Sequence, residues 1–219
     1  EATDNSLNNY CTGCHSPIGL TTGQINTQTV RFPEESATLP GVDCESCHNI
    51  SSRTGIDNGA YVLTPNAQGR PTKYGPREDA VSPYHATVYS PLHQRSDFCG
   101  TCHNVTHPVT GVPIERTYDE WQESPYNTAS TECQDCHMPP FKGKSAIMGP
   151  DRDAVASHWF SGGNVSLLEH FGEKEAAERA GAMLRSAGDI DIISSPEAVR
   201  PGQSVSVQVK VTNSGTGHK

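Results

Sequence analysis

One five-residue pattern, Cys-x-x-Cys-His, occurs four times in this sequence. The four copies use every cysteine of the chain. The pattern is the attachment signature of c-type haem, in which two cysteines form thioethers to one porphyrin and the next residue, histidine, reaches the iron. We therefore expect four covalently bound haems. The attaching cysteines are Cys11, Cys14, Cys44, Cys47, Cys99, Cys102, Cys133 and Cys136, and the motif histidines are His15, His48, His103 and His137.

Three other kinds of cysteine site share part of this pattern. Paired Cys-x-x-Cys elements hold structural zinc, eight cysteines of a secreted chain can form four disulfides, and a single Cys-x-x-Cys can be a redox dithiol. None of these sites requires a histidine after every second cysteine, and zinc or disulfide sites are not expected to keep every cysteine inside one repeat. The pattern therefore favours haem over all three.

The composition predicts that haem forms much of the interior. The 219 residues are 33% hydrophobic and 6% aromatic, and they include 20 glycines and 16 prolines. These apolar fractions are low for a self-sufficient core, and glycine and proline favour loops. Four apolar macrocycles can supply the missing interior. We therefore expect that the chain does not fold without haem.

Charge and hydropathy argue against two kinds of partner. The net charge is −9 with histidine neutral, and lysine and arginine form no basic cluster, so nucleic acid is not an expected partner. The sequence contains no apolar run of about 18 residues, the length that spans a bilayer, so no membrane span is expected. Haem c is attached outside the cytoplasm, and the sequence opens at Glu1 without a signal peptide. We therefore expect a mature protein that is exported through the periplasm and is extracellular or on the cell surface.

Residue patterns predict a mostly irregular and α-helical multihaem cytochrome c fold, with short helices wrapped around four stacked haems. Proline and glycine mark long irregular connectors at 16–43 and 49–84. Residues 165–187 show the spacing of an amphipathic helix, which Gly188 is expected to end. Further short helices are expected at the four motifs, at Ala86–Tyr89, at 117–124 with Trp121 buried, and at 151–160.

The C-terminal tail predicts a small β ribbon. Valines alternate with polar residues from 204 to 211, Ile190 and Ile192 form a weaker strand before them, and Pro201-Gly202 supplies a turn. Two strands alone are marginally stable. The ribbon is therefore expected to lie on the haem domain, on a neighbouring subunit, or in an immunoglobulin-like sandwich that it begins. We predict a tetrahaem domain at 1–188 and a β-strand tail at 189–219.

Six further histidines are candidates for the second axial position of the irons. His107 lies four residues after His103, so on a continuous helix both face the same side. His170 lies on the predicted long helix beside Leu167 and Phe171 and can be a boundary residue. We predict that all four irons are bis-histidine, while the match of each distal histidine to one haem stays open. The predicted distal ligands are His85, His93, His158 and His218, with His170 and then His107 in reserve.

Several segments in combination resemble a family of secreted multihaem c-type cytochromes. The resemblance covers roughly residues 40–219. Within this family, four motifs in 219 residues are similar to the tetrahaem cytochromes that polymerise into extracellular nanowires, the outer-membrane cytochrome E type. The segments are GVDCESCH (41–48), SPYH (82–85), SPLH (90–93), FCGTCHN (98–104), TYDEW (117–121), CQDCHMP (133–139) and HWFSGGN (158–164).

This resemblance implies bis-histidine haems stacked in a continuous chain, with one iron ligated by a histidine of the next subunit. His85, His93 and His158 match the distal histidines of the family. His218 matches the histidine of a Gly-His motif that in longer relatives continues into a β-sandwich.

The expected function is electron transfer. A compact chain of this length has a radius of gyration of about 17 Å, and a porphyrin is about as wide as a helix, roughly 10–12 Å, so four haems must be close neighbours. The expected partners are further copies of the chain in a head-to-tail extracellular filament, other redox proteins and extracellular electron acceptors. A monomeric periplasmic shuttle is the alternative. A multihaem enzyme with an open haem site is less favoured, because all four motifs end in histidine and further histidines are plentiful.

Overall fold

The computed structural model describes residues 8–25 and 41–219. The chain divides into two compact units, residues 1–123 and residues 124–219. The first unit contains three of the motifs and the second contains the fourth. The domain boundary predicted at residue 188 lies inside the second unit and stays a prediction.

The described part of the first unit consists of short helices and two-stranded sheets. Strands β1 and β2 pair antiparallel, β3 and β4 pair parallel, and β5 and β6 pair antiparallel. The helices are α1 (Asn8–His15), α2 (Pro17–Thr21), α3 (Cys44–His48), α4 (Ser96–Gly100) and α5 (Thr117–Glu123), with a 3₁₀ helix at Pro91–Gln94. The strands are β1 (Ile50–Arg53), β2 (Tyr61–Leu63), β3 (Thr72–Gly75), β4 (Ala86–Tyr89), β5 (Val105–Thr106) and β6 (Pro113–Glu115).

The second unit has the same character. Strands β7 and β8 pair antiparallel, as do β9 and β10. The helices are α6 (Pro125–Thr128), α7 (Cys133–His137), α8 (Val165–His170) and α9 (Lys174–Ala187). The strands are β7 (Pro140–Lys144), β8 (Asp151–Ala156), β9 (Gly188–Ser194) and β10 (Gln208–Asn213).

The motifs lie on helical turns, as predicted. Helices α1, α3 and α7 each end at the motif histidine. Helix α4 ends at Gly100 inside the third motif, and the following turn carries Cys102 and His103. A capping box at the start of α3, in which the Asp43 carboxylate accepts from the Ser46 amide, fixes the first turn of the second motif. Local hydrogen bonds therefore set how each motif presents its histidine.

Two predicted helices are wrong and form strands instead. Ala86–Tyr89 is β4, which pairs in parallel register with β3. Residues 151–156 form β8, which pairs with β7 and buries Val155. Thr87, Val88 and Tyr89 have high strand propensity, but the partner strands that decide the outcome are distant in sequence. The predicted irregular connector at 49–84 is also corrected, because it contains β1, β2 and β3.

The predicted helix at 165–187 is two helices, α8 and α9. Gly172 lies between them with a φ of +78°, in the left-handed region that ends a helix. Gly188 ends α9 as predicted, but with a φ of −165° it is extended and begins β9. The helix predicted at 117–124 is confirmed as α5, which buries Trp121. The connector predicted at 16–43 contains α2, and its residues 26–40 lie outside the described residues.

The predicted β ribbon is confirmed as the antiparallel pair β9 and β10. Its register places Ile192 opposite Val209 and Ile190 opposite Val211. These four side chains share one face of the ribbon, because residues two apart point to the same side, and each is more than half exposed. The valines at 205 and 207 precede β10 and lie outside the pairing.

Few apolar side chains are buried. Among the described residues, the buried apolar residues are Ile50, Tyr74, Tyr118, Trp121, Val155, Ala177 and Ala180. Large apolar side chains such as Phe141, Trp159, Phe160 and Phe171 are about half exposed or more. In the described part of the chain, no helix is long and apolar enough to cross a membrane. The described side chains therefore do not by themselves form a core of ordinary size.

A buried charge cluster holds the third motif in place. Asp97, on α4, accepts hydrogen bonds from Arg53 (2.7 Å), Arg95 (2.7 Å) and the Tyr118 hydroxyl (2.8 Å). Burial by itself would raise the pKa of Asp97, but the hydrogen bonds from Tyr118 and Arg53 outweigh it and hold the pKa below its ordinary value. Helices α4 and α5 pack closely here, since a Cβ added at Gly100 would lie 2.5 Å from a Tyr118 ring carbon.

Candidate haem sites

Each motif keeps its sulfur atoms out of disulfides. All eight cysteines lie in the described residues, and none forms a disulfide. Within residues 8–25 and 41–219, no cluster of three or more histidine, cysteine or carboxylate side chains is arranged to hold a metal ion. The disulfide and four-cysteine zinc alternatives therefore have no support in the geometry of the described residues.

The first and third motifs lie side by side. The thiol of Cys14 shares a hydrogen bond with that of Cys102, which raises the pKa of Cys14 and lowers the pKa of Cys102. Burial raises the pKa of the neighbouring Tyr61 to about 12, and the charges of Cys102 and Cys14 add to the effect. Burial, followed by the charge of Cys102, raises the pKa of Cys47 to about 11, so the second motif is close as well. The attachment points of three motifs thus converge within the first unit.

Backbone carbonyls orient two of the motif histidines. The Nδ1 atom of His48 lies 2.7 Å from the Tyr74 carbonyl oxygen, and Nδ1 of His137 lies 2.6 Å from the Ser161 carbonyl oxygen. A carbonyl oxygen only accepts, so Nδ1 carries the proton in both rings and the lone pair is on Nε2. This tautomer presents Nε2 to a metal, with the second nitrogen held by an outer partner.

A carboxylate orients a third motif histidine. The Nδ1 atom of His103 lies 3.1 Å from Oε1 of Glu115. The carboxylate accepts the Nδ1 proton and again leaves the lone pair on Nε2. The backbone adds a second hold, because the Tyr118 amide donates to the His103 carbonyl (3.0 Å).

The remaining motif histidine, His15, ends α1 and is exposed. Its helix is tied to the first unit through the Tyr10 hydroxyl, which lies 2.7 Å from Oδ1 of Asn58 and 2.6 Å from the Thr106 carbonyl oxygen. The tether fixes the helix that carries the first motif.

His93 faces His48. The two ring centroids are 5.6 Å apart and the ring planes differ by 15°. Nδ1 of His93 lies 3.0 Å from the Ser90 hydroxyl oxygen, and Nε2 lies 3.2 Å from the Cys47 carbonyl oxygen. Burial lowers the pKa of His93 to about 4, so the ring is neutral at physiological pH, which is the form that binds metals.

His218 faces His137 in the second unit. The ring centroids are 6.0 Å apart and the planes differ by 23°. Nδ1 of His218 lies 3.1 Å from the Lys219 carbonyl oxygen, which leaves the lone pair on Nε2. A turn between Asn213 and Thr216, closed by side chain to backbone hydrogen bonds of 2.9 and 3.1 Å, directs the chain from β10 to His218.

The segment before α8 also shapes the fourth motif. The Phe160 amide donates to the His137 carbonyl (3.0 Å), next to the Ser161 carbonyl that holds the His137 ring. Phe160 has a φ of +45°, a strained conformation for a bulky residue. The guanidinium of Arg179 lies 4.8 Å from the ring centroid of the neighbouring Trp159. The strained turn is what brings the Ser161 carbonyl to the histidine.

For the other two predicted distal histidines, His85 and His158, the contacts described in the structure do not include a motif histidine. His85 is half-buried, with Nδ1 3.1 Å from the Ala86 carbonyl oxygen. His158 is exposed and makes an edge contact with Phe160, with ring centroids 5.8 Å apart. Their assignment to an iron stays a prediction.

The reserve candidates have other contacts. The amides of Val109 and Thr110 both donate to Nδ1 of His107 at 3.2 Å, so a neutral His107 ring carries its proton on Nε2 and supports a turn. His170 is exposed and makes an edge contact with Phe171, with ring centroids 5.2 Å apart.

A cleft of about 550 Å³ lies in the first unit. Its wall includes Tyr74, whose carbonyl accepts from His48, and Ser90 and Leu92, which flank His93. The cleft is shallow, and neither His48 nor His93 lines it, so it is not by itself a haem site.

Comparison with known proteins supports the motif analysis. A family model described as cytochrome c554 and c-prime matches residues 1–49, which contain the first two motifs. No curated protein matches the chain. The crystal structure of a penta-heme cytochrome c552 from Thermochromatium tepidum matches 93% of this chain with a TM-score of 0.53 and 21% sequence identity. The chain covers 50% of that structure's length. The fold is that of a multihaem c-type cytochrome.

The residues of this multihaem cytochrome fold fit haem c. The motifs supply sulfur pairs outside disulfides, and three motif histidines have an outer acceptor on Nδ1. Sequence reasoning missed those acceptors. Tyr74 and Ser161 act through backbone carbonyls, which every residue type has, so the sequence carries no signal for them. Glu115 was detectable only as one acidic residue among several near the third motif.

Proposed function

We propose that this protein transfers electrons through four covalently bound c-type haems. Bound haem supplies the one-electron Fe(III)/Fe(II) couple. The chain would attach it through the eight motif cysteines, and it holds the imidazoles of three motif histidines in place. The observation that carries the proposal is the pair of facing imidazoles found at two motifs, His48 with His93 and His137 with His218.

The spacing of these pairs would let both imidazoles of a pair bind one iron. A metal–imidazole bond is about 2 Å long, so two imidazoles that bound one metal from opposite sides would have ring centroids about 6 Å apart. The separations in the structure are 5.6 and 6.0 Å. We assign His93 to the second haem and His218 to the fourth.

His93 needs one local rearrangement to take this role. Binding through Nε2 replaces its contact with the Cys47 carbonyl. The ring proton then lies on Nδ1, where the Ser90 hydroxyl oxygen at 3.0 Å accepts it. Ser90 is buried and already in position.

His85 and His158 complete the first and third irons in this proposal. One of the two ligands comes from a neighbouring subunit, as the family resemblance implies. If two histidines bound every iron, no metal would keep an open position, and such sites would transfer electrons rather than activate a substrate. The contact between Cys14 and Cys102 supports close spacing of the first and third haems.

The finer proposal is an extracellular filament of head-to-tail subunits. A heterologous contact that does not close generates an open filament. The β ribbon exposes an apolar face formed by Ile190, Ile192, Val209 and Val211, and contiguous exposed apolar surface marks an interaction site. In the filament proposal, a further copy of the chain covers this face. Other redox proteins or extracellular acceptors receive the electrons.

Spectra and mass of the purified native protein test the proposal of electron transfer by haem. We expect a Soret band, a mass equal to the polypeptide with four haems, and only low-spin ferric signals in EPR. A mass equal to bare polypeptide would reject electron transfer by haem. A high-spin signal in the native protein would favour the enzyme alternative, with an open haem site.

Electron microscopy of the secreted material tests the filament. We expect continuous fibres with haem density along the axis. Discrete particles at high concentration would support the monomeric periplasmic shuttle instead, and would leave the haem proposal intact.

A further inference from the structure

The third motif histidine, His103, differs from His48 and His137 in the charge of the group that accepts its Nδ1 hydrogen bond. His48 and His137 donate Nδ1–H to neutral backbone carbonyls, at 2.7 and 2.6 Å. His103 donates to the Glu115 carboxylate at 3.1 Å. A charged acceptor draws the proton more strongly and makes the imidazole a stronger donor to its metal.

Glu115 is held in this position by its surroundings. Strand β6 places it opposite Val105 of β5, directly after the third motif. The Thr117 hydroxyl donates to the same oxygen, Oε1, at 2.9 Å. The Tyr118 amide fixes the His103 backbone at 3.0 Å. Both of these hydrogen bonds come from the first two residues of α5, so the start of this helix holds the carboxylate next to the imidazole.

The charge of Glu115 lies next to the third motif histidine. One hydrogen bond of 3.1 Å separates the carboxylate oxygen from the imidazole that would bind the iron of the third haem. A negative charge this close favours the more positive, ferric state of a nearby iron.

We propose that Glu115 is a positioning residue that lowers the reduction potential of the haem on the third motif. The proposal rests on the electron-transfer function proposed above. Through His103, the carboxylate stabilises the ferric state more than the carbonyls of Tyr74 and Ser161 do at the second and fourth motifs. The haems consequently differ in reduction potential, and the potential of the third is lower than it would be with a neutral acceptor on His103.

Glu115→Gln tests this proposal in the haem-loaded protein. The amide keeps an oxygen acceptor for His103 and removes the charge. In a potentiometric titration we expect one reduction step to become more favourable by about tenfold, the lower end of measured outer-partner effects, which is about 59 mV for one electron. One of the low-spin ferric EPR signals should shift with it.

Glu123→Gln is the matched control. It removes the same charge from α5, where Glu123 is 72% exposed and pairs with Arg116. We expect no change in any reduction step or EPR signal. If Glu115→Gln moves no potential further than Glu123→Gln does, the proposal is wrong.

Thr117→Val supplies an effect of opposite sign. It removes the hydroxyl that shares Oε1, so the carboxylate accepts from His103 more strongly and the same potential should fall, by less than tenfold. A rise in this reduction potential would contradict the proposal. If Glu115→Gln loses its third haem, Thr117→Val alone tests whether Glu115 sets the potential. Unshifted potentials in a protein with four low-spin haems reject only the role of Glu115, whereas absence of haem from the native protein rejects the proposed function itself.

Discussion

Single hydrogen bonds to imidazole nitrogens decide what each histidine can do. His107 and His137 are both partly buried, yet His107 accepts two amide hydrogens on Nδ1 while His137 donates from Nδ1 to a carbonyl. Only the second arrangement leaves the Nε2 lone pair for a metal. The chemistry of a histidine in this chain is therefore set by its partner.

His218→Ala is expected to open one iron. In the proposed assignment, loss of the imidazole that faces His137 would leave the haem on the fourth motif with one histidine ligand. The ferric EPR spectrum should then gain a high-spin signal from one of the haems, while the others stay low-spin. His107→Ala should leave every signal low-spin, and a purely low-spin spectrum for His218→Ala would contradict the assignment.

Asp97 should give the folded protein an acid-sensitive stability. Its folded pKa lies below the unfolded value of about 3.9, so its contribution is fully present above that value and is lost as pH falls through the lower, folded pKa. Denaturant unfolding of the haem-loaded protein across the acid range measures this loss.

Asp97→Asn is the corresponding variant. It leaves Arg53 and Arg95 without their shared anion, and breaking a buried pair costs about 3–5 kcal/mol; partial exposure of the arginines reduces this to roughly 1–3 kcal/mol. The variant should also lose most of the acid-dependent change. Equal pH profiles for the variant and the wild type would show that another carboxylate is responsible.

At the scale of elements, the ribbon controls where His218 lies. The amides of Ser214 and Gly215 both donate to the Ala187 carbonyl at the end of α9, each at 3.2 Å. A Cβ added at Gly215 would lie 2.1 Å from the Ser186 carbonyl oxygen, which is rigid backbone. The close approach of β10 to α9 therefore requires glycine at this position.

Gly215→Ala should mimic loss of His218 in part. The clash moves the turn that carries His218, so a fraction of the fourth haem should become high-spin and the variant should unfold at lower denaturant concentration. Gly163→Ala is the matched control, because its added Cβ meets only a Leu184 methyl carbon at 4.0 Å. Low-spin EPR spectra and unchanged stability for both variants would contradict the proposed role of the ribbon.

For the whole molecule, few apolar side chains are buried among the described residues, so we expect the haems to provide most of the stabilising apolar contacts. Both units are built from short helices and two-stranded sheets, and such sheets are marginal in isolation. The aromatic residues Trp159, Phe160 and Phe171 present apolar surface that the described side chains leave exposed. Covalently attached macrocycles can cover such surface and link elements that do not touch.

The chain produced without haem attachment should therefore be unfolded. We expect a far-UV circular dichroism spectrum of a disordered chain and no cooperative thermal transition, in contrast to the haem-loaded protein. A cooperative transition of the haem-free chain near that of the loaded protein would show that side chains suffice.

The sequence by itself determined the features that depend on neighbouring residues. The spacing of Cys-x-x-Cys-His predicts the attachment sites, the alternation of valines identified the ribbon, and the pattern around Trp121 identified α5. The helices predicted at Ala86–Tyr89 and at 151–160 were wrong, because strand pairing with another segment decided the conformation.

Only the tertiary structure decided which groups meet. His48 faces His93, His137 faces His218, and Glu115 rather than a carbonyl holds His103. The two histidine pairs join segments far apart in the chain, whereas Glu115 reaches His103 across the short β5–β6 hairpin. The acceptors for His48 and His137 are the backbone carbonyls of Tyr74 and Ser161, a group that every residue has. Spacing in a sequence encodes short-range geometry, whereas pairing across a fold depends on how the intervening segments turn, which no short pattern specifies.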